Sequence, residues 1–136
     1  MTEQTLPAVG ASASVEHVFT QDDIATFARL SGDDNPVHLD EAAAQRMGFA
    51  GTIVHGMLAA GLISRLLGTQ LPGPGTIYLR QELRFQRPIR PGQVVAATVT
   101  VVSRREDKPI LELSTIVRSG GETAIEGSAA VLVRRP

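Results

Sequence analysis

The chain has 136 residues, a length typical of one compact domain, and its 13 basic and 14 acidic side chains give a formal net charge of −1. This near balance gives no electrostatic case for a nucleic-acid partner. There is no cysteine, which excludes disulfide bonds, thiolate metal sites and a cysteine nucleophile.

The beginning of the chain carries no targeting pattern. Residues 1–14 lack the basic start and apolar run of a secretory signal and are interpreted as a loose terminus. The most apolar stretch, residues 53–67, is too short to cross a bilayer and is interrupted by His55, Ser64 and Arg65. We therefore expect a cytoplasmic protein that does not contact membranes, in which residues 1–136 form a single domain.

The first half of the chain predicts helices. After a short strand candidate at Val15–Phe19, residues 20–32 predict a helix that a threonine caps and a glycine ends. Residues 33–36, Asp-Asp-Asn-Pro, predict a loop, because each residue favours turns and a proline breaks a helix. A second short helix is predicted from a cap at Asp40 to Gly48.

The central helix is predicted over residues 56–68. Its only charged residue is Arg65, and a helix that is apolar nearly all round is typical of a buried position. Small residues at 59–61 would let a sheet approach it closely. From Thr76 the pattern changes to period two, which predicts antiparallel strands over residues 76–85, 94–102, 110–117 and 123–133. In the first strand, the alternation places four residues on the buried face: Ile77, Leu79, Leu83 and Phe85. Helices first and long strands after predict an α+β domain whose sheet wraps around the apolar helix.

Two blocks carry the candidate chemistry, SGDDNPVHLD at residues 31–40 and IVHGM at residues 53–57. With LPGPGTIYL at 71–79 and REDKPI at 105–110, they resemble the MaoC-like dehydratase family, in particular the (R)-specific enoyl-CoA hydratases that feed polyhydroxyalkanoate synthesis. The resemblance covers roughly residues 15–133. It implies a hot-dog fold, a homodimer, and hydration or dehydration of fatty acyl thioesters such as acyl-CoA.

The resemblance also assigns roles by position. Asp33 and His38 match the catalytic pair, Gly56 matches the glycine whose backbone N–H meets the thioester carbonyl, and Ser64 matches a serine that supports the aspartate. Asn35 is expected to close the turn through its amide. A carboxylate can take a proton from water, and an imidazole can hold the same water and pass a proton to carbon. The sequence leaves open which of the two residues acts as the base toward water and which acts as the acid toward carbon.

The helix that begins at Gly56 supplies two further expectations. Free N–H groups and the positive dipole end at its start favour the negative charge of an enolate oxygen. Leu67, three positions after Ser64, is a candidate to close the far end of the acyl pocket, or else packs only against the sheet.

Other polar residues receive simpler interpretations. His55 is expected to be a cap or a core residue. The spacing of Asp33, His38 and His55 lacks the compact patterns of zinc or iron sites, so we expect no metal and no cofactor beyond the coenzyme A of the substrate. Four arginines could meet coenzyme A phosphates but are more simply solvated strand and turn residues: Arg84, Arg87, Arg90 and Arg104.

Three alternative functions stay open at this point. The closest is dehydration of (R)-3-hydroxyacyl chains on acyl carrier protein, which would use the same residues in reverse. An acyl-CoA thioesterase would attack the carbonyl carbon and release free thiol. A non-catalytic acyl-binding subunit would show no activity alone, and the presence of both Asp33 and His38 argues against it.

Overall fold

The computed structural model describes residues 5–135. The elements in chain order are β1 Ser12–Val18, α1 Gln21–Ser31, α2 Pro36–Leu39, α3 Glu41–Arg46, α4 Gly56–Thr69, β2 Thr76–Phe85, β3 Val94–Arg104, β4 Ile110–Ser119 and β5 Glu122–Val133. The strands form one antiparallel sheet in the order β1-β3-β4-β5-β2. None of the helices in residues 5–135 combines the length and apolar character needed to cross a membrane.

The core lies between one face of the sheet and α4. Alternate residues of the three central strands are buried, and the helix packs against them with its larger apolar side chains. The main contributors from the helix are Leu62, Ile63, Leu66 and Leu67. A sheet packed around one apolar helix confirms the predicted α+β architecture.

The prediction that α4 is buried all round is wrong for this chain. Met57 is 63% exposed, and the residues that follow it on the same side of the helix are also exposed. This outer stripe consists of Met57, Gly61, Ser64, Arg65 and Gly68. A Cβ added at Gly61 would meet nothing within 4 Å, so Gly61 does not serve close approach of the sheet. The sheet covers one side of the helix and leaves the stripe open.

The first strand starts earlier than predicted. Residues 12–14, interpreted above as part of a loose terminus, belong to β1, which pairs with β3 from Ser12↔Thr100 onward. The hydroxyls of Ser14 and Thr98 lie 2.8 Å apart across this pair. Short alternation of serine with alanine is a weak strand signal, and pairing with a long neighbour decides the outcome. The first four predicted terminal residues lie outside the described part of the chain.

The predicted buried face of β2 is also partly wrong. A register shift between Tyr78 and Arg80 marks an irregularity at Leu79, which is 52% exposed. Ile77 is 48% exposed and Phe85 is 53% exposed, so of the four residues predicted to be buried only Leu83 packs partly against the core. A bulge shifts the alternation by one residue, so a strict period-two assignment cannot hold on both sides of it.

Helix α1 confirms its predicted ends. The hydroxyl of Thr20 accepts a hydrogen bond from the backbone N–H of Asp23 at 3.0 Å, and the Asp23 carboxylate accepts one from the backbone N–H of Thr20 at 3.0 Å. This reciprocal pair is a capping box. Gly32 ends the helix with φ 80°, a left-handed conformation that favours glycine.

The Asp23 carboxylate makes the stability of the fold depend on pH. The hydrogen bond from the Thr20 backbone and the contact with His17 at 3.2 Å hold the pKa of Asp23 below its usual range. Because the pKa of Asp23 is lower in the folded state than in the unfolded state, the ionised carboxylate stabilises the fold above its unfolded-state pKa. This stabilisation is lost as the pH falls through the folded-state pKa. We expect Asp23→Asn to lower the free energy of unfolding by about 1 kcal/mol near neutral pH, and less in acid.

Asp22→Asn is the matched control, because it removes the same charge from the same helical turn. Asp22 forms no side-chain hydrogen bond among residues 5–135. Urea titrations of both variants at several pH values measure the difference. Equal losses in the two variants would show that helix-dipole charge, not the capping box, accounts for the effect.

Candidate active site

The block at residues 31–40 folds as a loop followed by one helical turn. Asn35 caps α2 by accepting the backbone N–H of Val37 at 3.3 Å, which confirms its predicted turn-closing role. Pro36 was predicted to interrupt helical structure, but it occupies the first position of α2. A proline fits there because its φ suits the helix and the N–H it lacks would have no helical partner. Asp33 is thus held in the loop and His38 in the turn that follows.

Asp33 is held by its backbone and by one carboxylate oxygen. Its N–H donates to the hydroxyl of Ser31 at 3.1 Å, and its Oδ1 accepts the N–H of Asn35 at 3.3 Å. The residue is exposed. Its Oδ2 has no hydrogen-bond partner in the described part of the chain, which leaves that atom open to the solvent side of the site.

His38 is a buried residue with a defined tautomer. Its Nδ1 lies 2.8 Å from the carbonyl oxygen of Ile53. A carbonyl only accepts, so Nδ1 carries the proton, and Nε2 of the neutral ring carries the lone pair. The side-chain amide of Gln21 donates to the backbone carbonyl of His38 at 2.8 Å and fixes the turn further. The ring therefore presents an acceptor on the side opposite Ile53.

His55 completes this group of side chains. It is 2% exposed, and its ring stacks on that of His38 with centroids 3.8 Å apart and planes at 26°. It occupies the N-cap position of α4 but forms no side-chain capping bond. The expectation that it is a core residue is confirmed. Its contact with His38 was not predicted, because nothing local in the sequence links positions 17 residues apart.

The start of α4 offers free backbone donors at the same place. Ala59 is the first residue of the helix whose N–H reaches a carbonyl, that of His55, at 3.1 Å. The N–H groups of Gly56, Met57 and Leu58 have no acceptor among residues 5–135. A Cβ on Gly56 would lie 2.6 Å from Cε1 of Phe85, so a side chain at position 56 would require that ring to shift. Gly56 therefore presents an unpaired N–H at the positive end of a helix.

These groups line one cavity of about 500 Å³. Its polar end consists of Asp33, His38, His55 and the backbone of Gly56. The rest of the lining is mainly apolar but also includes the polar residues Gln86 and Arg87. Its principal apolar contributors are Phe49, Ile53, Met57, Phe85, Ile89 and Ile125. A cavity that combines a carboxylate and imidazoles with largely apolar walls suits a substrate with a polar group on a hydrocarbon chain.

Two predicted site residues lie elsewhere. Ser64 is on the exposed outer stripe of α4 and forms no side-chain hydrogen bond in the described region, so this chain does not bring it to Asp33. Leu67 is 1% exposed within the core and is absent from the cavity wall, in agreement with the alternative that it packs against the sheet. Residues three apart on a helix differ by about 60° in direction, which is enough to separate a core residue from an exposed one.

Three side chains at the polar end are metal-ligand types. Asp33, His38 and His55 each offer one ligand atom, and these atoms lie within 4.8 Å of one another. The stacked rings oppose coordination of one ion by both histidines, because the lone pair of an imidazole lies in its ring plane and nearly parallel planes do not converge. The arrangement suits proton transfer better than metal binding.

Comparison with known proteins agrees with this fold and site. Residues 4–119 match the family model of the MaoC like domain. The (R)-specific enoyl-CoA hydratase of Aeromonas caviae is 49% identical over 132 residues, covering 96% of this chain and 98% of that protein. The enzyme of the same name from Rhodospirillum rubrum is 47% identical over 124 residues, covering 91% of this chain and 86% of that one.

The solved structure of the (R)-hydratase from A. caviae involved in PHA biosynthesis matches this chain with a TM-score of 0.92 and 47% identity. The match covers 94% of this chain and 98% of the solved one. The resemblance seen in the sequence and the hot-dog fold that it implied are both confirmed: the chain belongs to the MaoC-like family.

Proposed function

We propose that this protein is an (R)-specific enoyl-CoA hydratase, which adds water to trans-2-enoyl-CoA and forms (R)-3-hydroxyacyl-CoA reversibly. One observation carries the proposal: Asp33 and His38 line the polar end of an apolar cavity beside the unpaired N–H of Gly56. Identities of 47–49% to two enzymes named for this reaction support the substrate class.

Asp33 and His38 hold and activate the attacking water. Ionised Asp33 is an acceptor, and Nε2 of His38 is also an acceptor in the tautomer that Ile53 imposes. One water can donate its two protons to these two atoms and direct a lone pair of its oxygen at the β-carbon. As the oxygen–carbon bond forms, the pair takes one proton and the electrons of the double bond move toward the thioester carbonyl.

Gly56 stabilises the enolate that results. Its N–H lies at the positive end of α4 without a competing acceptor, so it can donate to the developing oxygen anion. A preorganised donor of this kind contributes about 3 kcal/mol to a transition state. The proton held by the pair then passes to the α-carbon. Because one water supplies both the hydroxyl and this proton on one face, the addition is syn.

Neither a metal nor a further cofactor takes part in this mechanism. The pair provides both proton-transfer steps and the helix start provides the charge stabilisation. The near-parallel rings of His38 and His55 support this assignment, since they are poorly placed to share an ion. The coenzyme A moiety belongs to the substrate.

The assay is hydration of crotonyl-CoA by the purified protein with a chelator present, following both enoyl absorbance and free thiol. We expect enoyl absorbance to fall without release of thiol. Release of thiol would identify a thioesterase, and no change in either signal would fit a non-catalytic acyl-binding subunit. Comparing the hydration rates of the CoA thioester and the acyl carrier protein thioester shows which carrier the protein uses.

The proposed assembly is a homodimer that covers the outer stripe of α4 and the edge strand β2. Glycine and serine along the stripe allow another chain to approach closely, and the edge strand leaves Ile77, Leu79 and Phe85 about half exposed. We expect sedimentation at micromolar concentration to give twice the mass of one chain. A monomer under these conditions would contradict this arrangement.

A further inference from the structure

His55 is packed against aromatic rings of two other elements. Phe27 of α1 contacts it with ring centroids 4.8 Å apart and planes at 59°, and His38 of α2 stacks on it at 3.8 Å. The residue is 2% exposed. Such an enclosure fixes the plane of the His55 ring, and the stacked ring of His38 is fixed with it.

His55 also contacts the other member of the catalytic pair. Its Nε2 lies 2.9 Å from the backbone carbonyl oxygen of Asp33, so Nε2 carries a proton and donates it there. Among the described residues, the other hydrogen bonds of Asp33 join it to its near neighbours Ser31 and Asn35. The bond from His55 therefore ties the Asp33 loop to the start of α4.

The remaining nitrogen of His55 is unsuited to chemistry. Nδ1 is buried and has no hydrogen-bond partner within residues 5–135. A proton on Nδ1 would have no acceptor among the described residues. Because Nδ1 is enclosed and Nε2 is engaged with Asp33, neither nitrogen is free to exchange a proton with a substrate.

We propose that His55 is the positioning residue of this site, which orients His38 through ring stacking and anchors Asp33 through its Nε2 hydrogen bond. The proposal rests on the proposed hydratase function for its kinetic test. It explains why a polar, buried ring stands at the N-cap position of α4 without capping the helix. The His55 ring couples the start of α4 to both members of the proposed catalytic pair.

Two substitutions separate the two contacts. His55→Phe keeps a flat ring against His38 and loses the donor to Asp33, whereas His55→Gln keeps a donor and loses the stacked ring. Each is expected to lower kcat about 10- to 100-fold, because small misplacements of catalytic groups have effects of that size. KM should stay within about threefold of wild type, since neither contact binds the acyl chain.

Thr115→Val is the control for a purely structural effect. Thr115 is fully buried in β4 and accepts a hydrogen bond from Gln81 at 3.1 Å, away from the cavity. It should lower the melting temperature while leaving kcat per folded molecule unchanged. Wild-type kcat in both His55 variants would overturn the proposal, and so would a loss as complete as that of His38→Gln, which would make His55 a proton-transfer group.

A second measurement does not depend on substrate. The Nδ1 proton of His38, bonded to Ile53, is observable by nitrogen-edited NMR, and its exchange with solvent reports how firmly the ring is held. We expect exchange to be about tenfold faster in His55→Gln than in wild type. An unchanged exchange rate would overturn the stacking role of His55, whether or not the wild-type protein hydrates enoyl-CoA. A lack of hydratase activity in the wild-type protein would count against the proposed function alone.

Discussion

Asp33→Asn and His38→Gln are each expected to lower kcat/KM for crotonyl-CoA hydration by about 100- to 10,000-fold while the protein stays folded. Each removes one of the two groups proposed to hold and deprotonate the attacking water, and general acid–base catalysis contributes on that scale. The asparagine amide can still accept the N–H of Asn35, so the loop geometry should survive. The loss is therefore expected in kcat more than in KM.

Each variant has a matched control. Asp34→Asn removes the same charge one position later, from an exposed residue with no side-chain hydrogen bond in the described region. His17→Gln removes an imidazole of β1 that contacts Asp23 of α1 and lies outside the cavity. Both controls should keep wild-type turnover. Near-normal turnover in Asp33→Asn or His38→Gln would remove the proposed pair.

Gly56→Ala is expected to reduce kcat/KM by about 100-fold and to destabilise the fold by about 1–3 kcal/mol. The new Cβ would lie 2.6 Å from Cε1 of Phe85, closer than carbon atoms pack, so the ring or the start of α4 must move. Movement of the helix start displaces the N–H that meets the enolate, and displacements of about 1 Å carry losses of this size.

The steric cause is tested by a double-mutant cycle with Phe85→Ala. Removing the ring removes the contact that the alanine methyl would make, so Gly56→Ala should cost little stability in that background. Urea unfolding of the four proteins gives the coupling free energy, expected to be about 1 kcal/mol or more. The same cost in both backgrounds would show that Phe85 is not what requires glycine at position 56.

The features that could be predicted from the sequence are those with a local physical cause. Thr20 and Gly32 delimit α1 because capping and left-handed conformations depend on a few neighbouring atoms. Asp40 caps α3 through the N–H groups of Ala42 and Ala43 for the same reason. The placement of Asp33 and His38 in one cavity could also be predicted, because a local turn stabilised by Asn35 brings the two residues together.

The features that could not be predicted depend on contacts distant in sequence. The bulge at Leu79 and the early start of β1 at Ser12 are set by pairing with other strands. The stacking of His55 on His38 and the closeness of Phe85 to Gly56 join separate elements and have no local pattern. The apolar composition of α4 likewise does not reveal which side of the helix the sheet covers. That side determines that Leu67 is buried and Ser64 is exposed.

The stereochemistry of the product tests the central claim most directly. The protein is incubated with crotonyl-CoA in deuterated water, and the 3-hydroxybutyryl-CoA formed is examined by chiral chromatography and NMR. In the proposed mechanism one water held by Asp33 and His38 supplies both the hydroxyl and the α-proton, so we expect the (R) product with deuterium added syn to the hydroxyl. A predominantly (S) product, or deuterium added anti to the hydroxyl, would contradict the account.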